Sequence, residues 1–292
     1  MTIPASNAIV EACAAAGLNG RGAEPIRLAE NQIWRLPETG IVVRLSPPDR
    51  QNAAAREVCV AQWLADNGIR AVVPLDIDQP VECADRVATF WVEVPPHEHG
   101  TITDIALALR ELHALAPPTF DIEALDPFVR VPERLAAAAL SAGDRRWLLD
   151  LHADLAGRWA AGLPPGLSHR AIHGDAWPGN IVRVIGEGRL LMDFERFSFG
   201  PPEWDLISTA VRTRTTGAVN EADYAKFCDQ YGYDVTVWVG YELLARAREL
   251  RMATYAAQHA ASDPRWKDQA QHRVDCLRGR CGPRPWKWTG IM

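Results

Sequence analysis

Over the first 94 residues the apolar positions recur alternately at helical and at strand spacing. An initial helix is expected at Asn7–Ala16, stopped by Gly17 and Gly20. Three β-like runs follow, at Pro25–Ala29, Gln32–Leu36 and Ile41–Leu45, with the ETG at 38–40 turning the second into the third. A helix at Ala53–Asp66 puts Val58, Ala61 and Leu64 on one face and has Gly68 just past its end; strands are expected near Val72–Ile77 and Val87–Val94. That order predicts a small antiparallel sheet with a packed helix.

The PPHEHG at 95–100 interrupts the pattern, and helical spacing dominates beyond it. Helices are expected at Asp104–Leu115, Pro132–Leu140, Arg145–Ala160, Glu221–Tyr231 and Val237–His259, the third carrying Leu148, Leu151, Leu155 and Trp159 on one stripe. The exception is Ile181–Phe194, where two β-like runs flank Gly186-Glu187-Gly188 and predict a hairpin. The chain therefore divides into 1–94, a linker at 95–100, and 101–292.

At 292 residues the chain exceeds what one core usually serves, which fits two lobes. Hydrophobic residues at 48% and charged residues at 23% describe a globular protein rather than a disordered one. No basic segment precedes the first apolar stretch, and no uninterrupted apolar run reaches the ~18 residues of a membrane span, so a cytoplasmic protein without a membrane partner is expected. A net charge of −6 argues against nucleic acid as partner. The locally basic stretch from Arg265 to Lys287 is expected to be solvated surface. The six cysteines have neither a CxxC pair nor the His spacing of a zinc site, and are expected to be reduced, mostly buried thiols.

Candidate chemistry is concentrated in HGDAWPGN, His173 to Asn180, followed by the hairpin and MDFE, whose Asp193 lies 18 residues beyond Asp175. An HGD alone is equally a loop with a buried His and a capping Asp. Joined to Asn180, the hairpin and Asp193, it resembles the catalytic loop and metal-site strand of the aminoglycoside phosphotransferase and choline kinase family, distant relatives of protein kinases. WDL at 204–206 resembles the family's loop-bracing Asp, here Asp205. The resemblance implies a two-lobed α+β, protein-kinase-like fold with a cleft between the lobes, and a kinase that moves the γ-phosphate of ATP, with GTP open, to a small-molecule hydroxyl. Phosphoryl transfer is mostly positioning and charge neutralisation. Asp175 would accept the hydroxyl proton, Asn180 and Asp193 would offer the hard oxygens that Mg²⁺ prefers, and His173 and Asp205 would brace the loop.

The resemblance further implies a basic residue on a strand of the first lobe paired with an acid on its helix. Arg44 and Glu57 are the matching residues, with Arg standing where the family more often has Lys; an ordinary surface ion pair is the other reading. RLAENQIW at 27–34 has no glycine, so phosphate would be covered by a turn through Ala29, Glu30 and Asn31. FWVEV at 90–94 would bond adenine through the backbone around Glu93 and Val94, or is simply strand core.

For the acceptor, Glu195 would touch an amine or orient the loop. The acidic stretch Glu221–Asp234, with Asp229, Asp234 and the aromatic Trp238, would wall a cationic ligand or form a solvated helix face. The partners expected are thus a nucleotide and a small, amine-bearing acceptor, with oligomeric state unread. The rival reading is a regulatory protein that binds nucleotide without turnover.

Overall fold

A computed structural model describes residues 5–29, 31–83 and 85–289 and resolves the chain into two compact units. One comprises Met1–Asp104, Ala114–Ile122 and Pro178–Phe197; the other comprises Ile105–His113, Glu123–Trp177 and Ser198–Met292. The hairpin, which the sequence pattern groups with the later residues, thus belongs to the unit that holds the N-terminal sheet.

In that unit α1 (Ala5–Ala15) precedes β1 (Glu24–Leu28), β2 (Gln32–Leu36) and β3 (Ile41–Ser46); α2 (Gln51–Asp66) precedes β4 (Val81–Cys83) and β5 (Arg86–Val92). The strands pair antiparallel in the order β1-β2-β3-β5-β4. Strand alternation decides what each face carries. Val43 and Leu45 join Trp34, Phe90, Ile9 and Ala12 in one core cluster. Arg44, between them, faces the other way, toward α2. Burying that helix's stripe of Ala54, Val58, Ala61 and Leu64 also buries Glu57.

The strand expected near Val72–Ile77 is absent as a strand. Pro74 cannot donate to a ladder, and the segment is held by single bonds instead: Val72 N to Leu191 O at 2.9 Å, Leu75 N to Phe90 O at 2.9 Å, and Val92 N to Val73 O at 2.8 Å. The hairpin strands Ile181–Val184 and Gly188–Leu191 form as expected, and β6 (His97–His99), inside the expected linker, adds a third strand to them.

The second unit contains most of α3 (Ile102–Ala114), then α4 (Val131–Ala137), α5 (Ala142–Ala160), α6 (Glu203–Arg214), α7 (Glu221–Tyr231), α8 (Tyr241–Ser262) and α9 (Lys267–Leu277). Helix α8 packs against α4, α5, α6 and α9. It starts four residues later than expected because Asp234 caps a short 3₁₀ turn at Val235–Val237. Neither α6 nor α9 is legible in the periodicity. Every residue of α6 from Glu203 to Val211 is buried, so no polar face exists to reveal a period, whereas α9 is mostly polar. Nor is the basic C-terminal stretch a solvated surface: Arg273 is buried, Arg278 pairs with Asp144 at 2.6 Å, and Arg284 pairs with the buried Glu249 at 2.7 Å.

Gly100 holds the start of the hairpin. Its N–H reaches Pro178 O at 3.1 Å and Ile181 O at 3.0 Å, and a Cβ built there would meet Ile181 O at 2.1 Å. Because that obstacle is backbone, Gly100→Ala is expected to destabilise the protein by about 1–3 kcal/mol, measured by denaturant unfolding. An unchanged midpoint would show that the two segments are free to separate.

Candidate active site

The strand Arg170–Ile172, paired antiparallel with Ser198–Gly200, carries the chain into His173-Gly174-Asp175. Gly174 has φ +78°, a left-handed conformation that a side chain would resist. The loop is held there by one carboxylate. Asp205, fully buried in the first turn of α6, accepts Gly174 N–H on Oδ1 and His173 N–H on Oδ2, both at 2.8 Å, and His113 Nε2–H on Oδ2 at 3.2 Å. His113 Nδ1 in turn accepts the Tyr231 hydroxyl at 2.9 Å. Burial alone would push the Asp205 carboxyl up; the hydrogen bond from His113, the two imidazoles close by and the His173 N–H outweigh it and hold the carboxyl below its usual range.

His173 is itself wholly buried, and its Nδ1 lies 3.4 Å from Asp175 N, so it braces the loop from within. Trp204 donates its indole N–H to Gly174 O at 3.0 Å. Arg248 lies over the Trp204 ring, also reaches Gly174 O, and sets its guanidinium 3.3 Å from Asp175 Oδ1. Arg248 and His113 are functional neighbours that sequence reading did not find. They sit 73 residues after and 62 residues before Asp175, on helices without a motif of their own.

In the sheet unit, Ile181 pairs with Leu191 and Met192 N donates to Asn180 O at 2.9 Å, so the hairpin's base sets Asn180 beside the segment carrying Asp193. Asp193 has φ +63°, uncommon for a residue with a side chain and a form of strain often kept at functional sites. A carboxylate and an amide at the two ends of one hairpin are a donor set that suits Mg²⁺.

Arg44 Nη1 contacts Glu57 Oε2 at 2.7 Å and its Nη2 contacts Glu195 Oε2 at 3.2 Å. Burial opposes the charge of Arg44, but Glu57, Asp193 and Glu195 together raise its pKa above the ordinary value. One guanidinium cannot satisfy three acids equally. Burial pushes Glu57 up to about 7, with Arg44 opposing and Asp193 and Glu195 adding to the rise. The pair is therefore a partly buried ion pair rather than a surface one, and Glu195, which also pairs with Arg196 at 3.1 Å, faces Arg44.

The remaining sequence-derived positions fare differently. Glu93 N–H is committed to Gly40 O at 2.8 Å and its carboxylate to Arg35, which removes its N–H as a hydrogen-bond donor to adenine. Glu93 and Val94 line a recess of about 410 Å³ with Ile69, Val72 and Leu190. Asn31 is partly buried at the turn into β2, and Glu30 lies outside the described residues. Asp234 Oδ1 accepts the Thr236 N–H and hydroxyl and the Tyr224 hydroxyl, so this carboxylate caps its own turn. Asp229 is exposed on α7.

Trp238 is buried and donates to Pro165 O at 2.9 Å, lining a recess of about 520 Å³ with Trp159, Leu163, Leu167 and Glu203. Glu203 was not singled out for the acceptor by sequence. It is fully buried; Oε1 accepts Leu167 N–H, while Oε2 is the only buried carboxylate oxygen among the described residues with no hydrogen-bond partner.

The profile of the phosphotransferase enzyme family, APH, matches residues 22–250. No curated protein matches the chain. Among solved structures, the aminoglycoside phosphotransferase APH(3'')-Id from Streptomyces rimosus aligns with TM-score 0.60 at 20% identity, covering 85% of this chain and 99% of that one. A choline/ethanolamine kinase family protein from Mesorhizobium loti gives 0.60 at 16% identity, with 94% and 93% covered. A microcompartment-associated aminopropanol kinase gives 0.66 at 18% identity, with 95% and 94% covered. These likenesses establish the protein-kinase-like fold. No helix among the described residues is long and apolar enough to cross a membrane.

Two outcomes are expected. Asp205→Asn puts an amide N–H where a second acceptor oxygen is needed, so it should cost roughly 1–3 kcal/mol per orphaned buried donor, read by denaturant unfolding, and lower turnover with it. Glu57 has a raised pKa, so its contribution to stability is present below about 4.5 and is lost as pH rises through about 7. The melting temperature should therefore fall across that interval in the wild type and less so in Glu57→Gln; parallel curves would mean that Glu57 does not titrate there.

Proposed function

The chain belongs to the phosphotransferase enzyme family, and from that premise we propose that it is a Mg²⁺-dependent kinase transferring the γ-phosphate of ATP to a hydroxyl of a small, amine-bearing molecule. The observation that carries this reading is the locked HGD loop: a buried carboxylate spends its oxygens on fixing the backbone of His173 and Gly174, so the Asp175 carboxylate is presented in one place. Such preorganisation is what phosphoryl transfer asks of a protein.

In this reading Asp175 receives the hydroxyl proton as the acceptor oxygen bonds to the γ-phosphorus and the bond from that phosphorus to the β,γ-bridging oxygen breaks, releasing ADP; Arg248 orients the carboxylate beforehand. Asn180 and Asp193 hold Mg²⁺, which when bound neutralises charge on the phosphates. Arg44, held by Glu57, grips phosphate oxygens; a guanidinium does so with two prongs where lysine offers a point charge.

The amine follows from the similar proteins and from one local feature. One neighbour is an aminopropanol kinase, another a choline/ethanolamine kinase family protein, and the Streptomyces rimosus structure is also known in complex with ADP and streptomycin. All those small molecules carry cationic nitrogen. In this chain the acid with an unpartnered buried oxygen is Glu203, adjacent to Trp204 and lining one recess with Trp159 and Trp238. A buried carboxylate oxygen without a partner is costly, and an ammonium group would relieve that cost.

The reading is tested by following nucleotide consumption across amine-bearing alcohols, sugars and antibiotics; binding without turnover on all of them would favour a regulatory protein instead. With an acceptor in hand, Asp175→Asn should lower kcat by a few orders of magnitude and leave nucleotide binding nearly intact. Asp193→Asn should abolish the extra thermal stabilisation that Mg²⁺ adds to ATP, since only ligands of the folded state raise its stability. Glu203→Gln should raise the acceptor KM about tenfold while that of ATP stays constant; an unchanged acceptor KM would remove Glu203 from recognition.

A further inference from the structure

Three metal-binding side chains converge at the C-terminal end of the helical unit, and none of them is given a role above. His272 and Cys276 are four residues apart on α9, and the helical repeat sets them on one face. The helix ends at Leu277. Gly279 at φ +76° then lets the chain double back, which returns Cys281 to the same spot.

The distances are those of a metal site. Nδ1 of His272 lies 3.9 Å from Cys276 Sγ and 3.8 Å from Cys281 Sγ, and the ligand atoms of the three residues all lie within 4.8 Å of one another. With Zn–N near 2.0 Å and Zn–S near 2.3 Å, a tetrahedral ion sets N···S edges of about 3.6 Å and S···S edges of about 3.8 Å. Cys276 Sγ is also 3.6 Å from Nε2, so a small rotation of the ring or of that thiol completes the triangle. Nε2 of His272 lies 3.0 Å from Trp286 O. That contact fixes the ring N–H on Nε2 and leaves Nδ1 as the nitrogen open to a metal, as an outer partner does for a metal-bound histidine.

We propose that His272, Cys276 and Cys281 form a Zn²⁺ site that fastens the C-terminal strap to α9, with the fourth position taken by water or a small ligand. Two thiolates and an imidazole select a soft ion of this kind over Mg²⁺. The strap is otherwise held by Arg284 to Glu249, Trp286 N to Thr215 O and Arg273 to Thr289 O, and by the buried Trp288, over whose ring Arg273 lies. Zinc binding displaces the two thiol protons to solvent. Because both sulfurs bind as thiolates, affinity should rise with pH. The expectation from sequence, that no cysteine has zinc spacing, is revised to H-x₃-C-x₄-C.

The test uses the full chain, reduced and stripped of metal, titrated with Co²⁺ as the probe. The expected result is a thiolate-to-cobalt charge-transfer band that saturates at one ion per chain and is bleached by Zn²⁺. Cys281 is exposed, so Cys281→Ser should fold and lose the band, while Cys59→Ser, at an exposed thiol in the other unit, should keep it. Zn²⁺ should raise the melting temperature of the wild type and of Cys59→Ser, and not of Cys281→Ser. His272→Gln should weaken cobalt binding at least tenfold. Absence of the band, equal zinc stabilisation in Cys281→Ser, or recovery of Cys276 and Cys281 as a disulfide from freshly prepared protein would overturn the site. None of these readouts depends on kinase activity.

Discussion

A charge removed from water must find partners nearby, and in this protein the Asp205 carboxylate finds them in the backbone of the loop it is there to hold. The desolvation of a fully buried carboxylate is worth several kcal/mol on its own, and only multiple well-aligned donors offset it. Two of those donors are the consecutive N–H groups of His173 and Gly174, and the left-handed φ of Gly174 then turns the chain into Asp175. The third, His113, is kept in the donating tautomer by the Tyr231 hydroxyl. The conformation of His173-Gly174-Asp175, the burial of the first turn of α6 and the identity of a histidine on α3 are therefore one constraint met in three places.

The sheet unit solves a related problem less completely. Arg44 answers Glu57, Glu195 and the nearby Asp193, and the excess negative charge appears as the raised pKa of Glu57. Under the proposed function, a cation held by Asp193 would withdraw one competitor for the guanidinium and tighten the Arg44–Glu57 pair.

Arginine does much of the internal bracing in the helical unit. Arg248 lies over Trp204, Arg273 reaches the carbonyls of Met252 and Thr289, and Arg284 meets Glu249. A guanidinium can serve this way because it is weakly hydrated, stacks on aromatic faces and carries five donors. Composition shows a basic C-terminal stretch, but whether its charges face water or protein depends on acids more than a hundred residues away, such as Asp144.

By itself the sequence determined the local elements with a clear period, and the chemistry carried by consecutive residues. The alternation of Ile41–Leu45, the stripe of the helix ending near Asp66, the hairpin around Gly186 and the HGD-to-Asp193 spacing are all local, and each was legible because one face of each element meets water or a turn punctuates it. What had no local signature came from tertiary structure. Helix α6 is buried on every side from Glu203 to Val211 and so shows no period; Pro74 turns an apolar run into a bridged loop; His113 and Arg248 reach the HGD loop from distant helices; and Glu93 loses its N–H to Gly40. In each case the deciding term is the partner of a buried polar group, and a partner is fixed by packing in three dimensions rather than by the residues next to it in the chain.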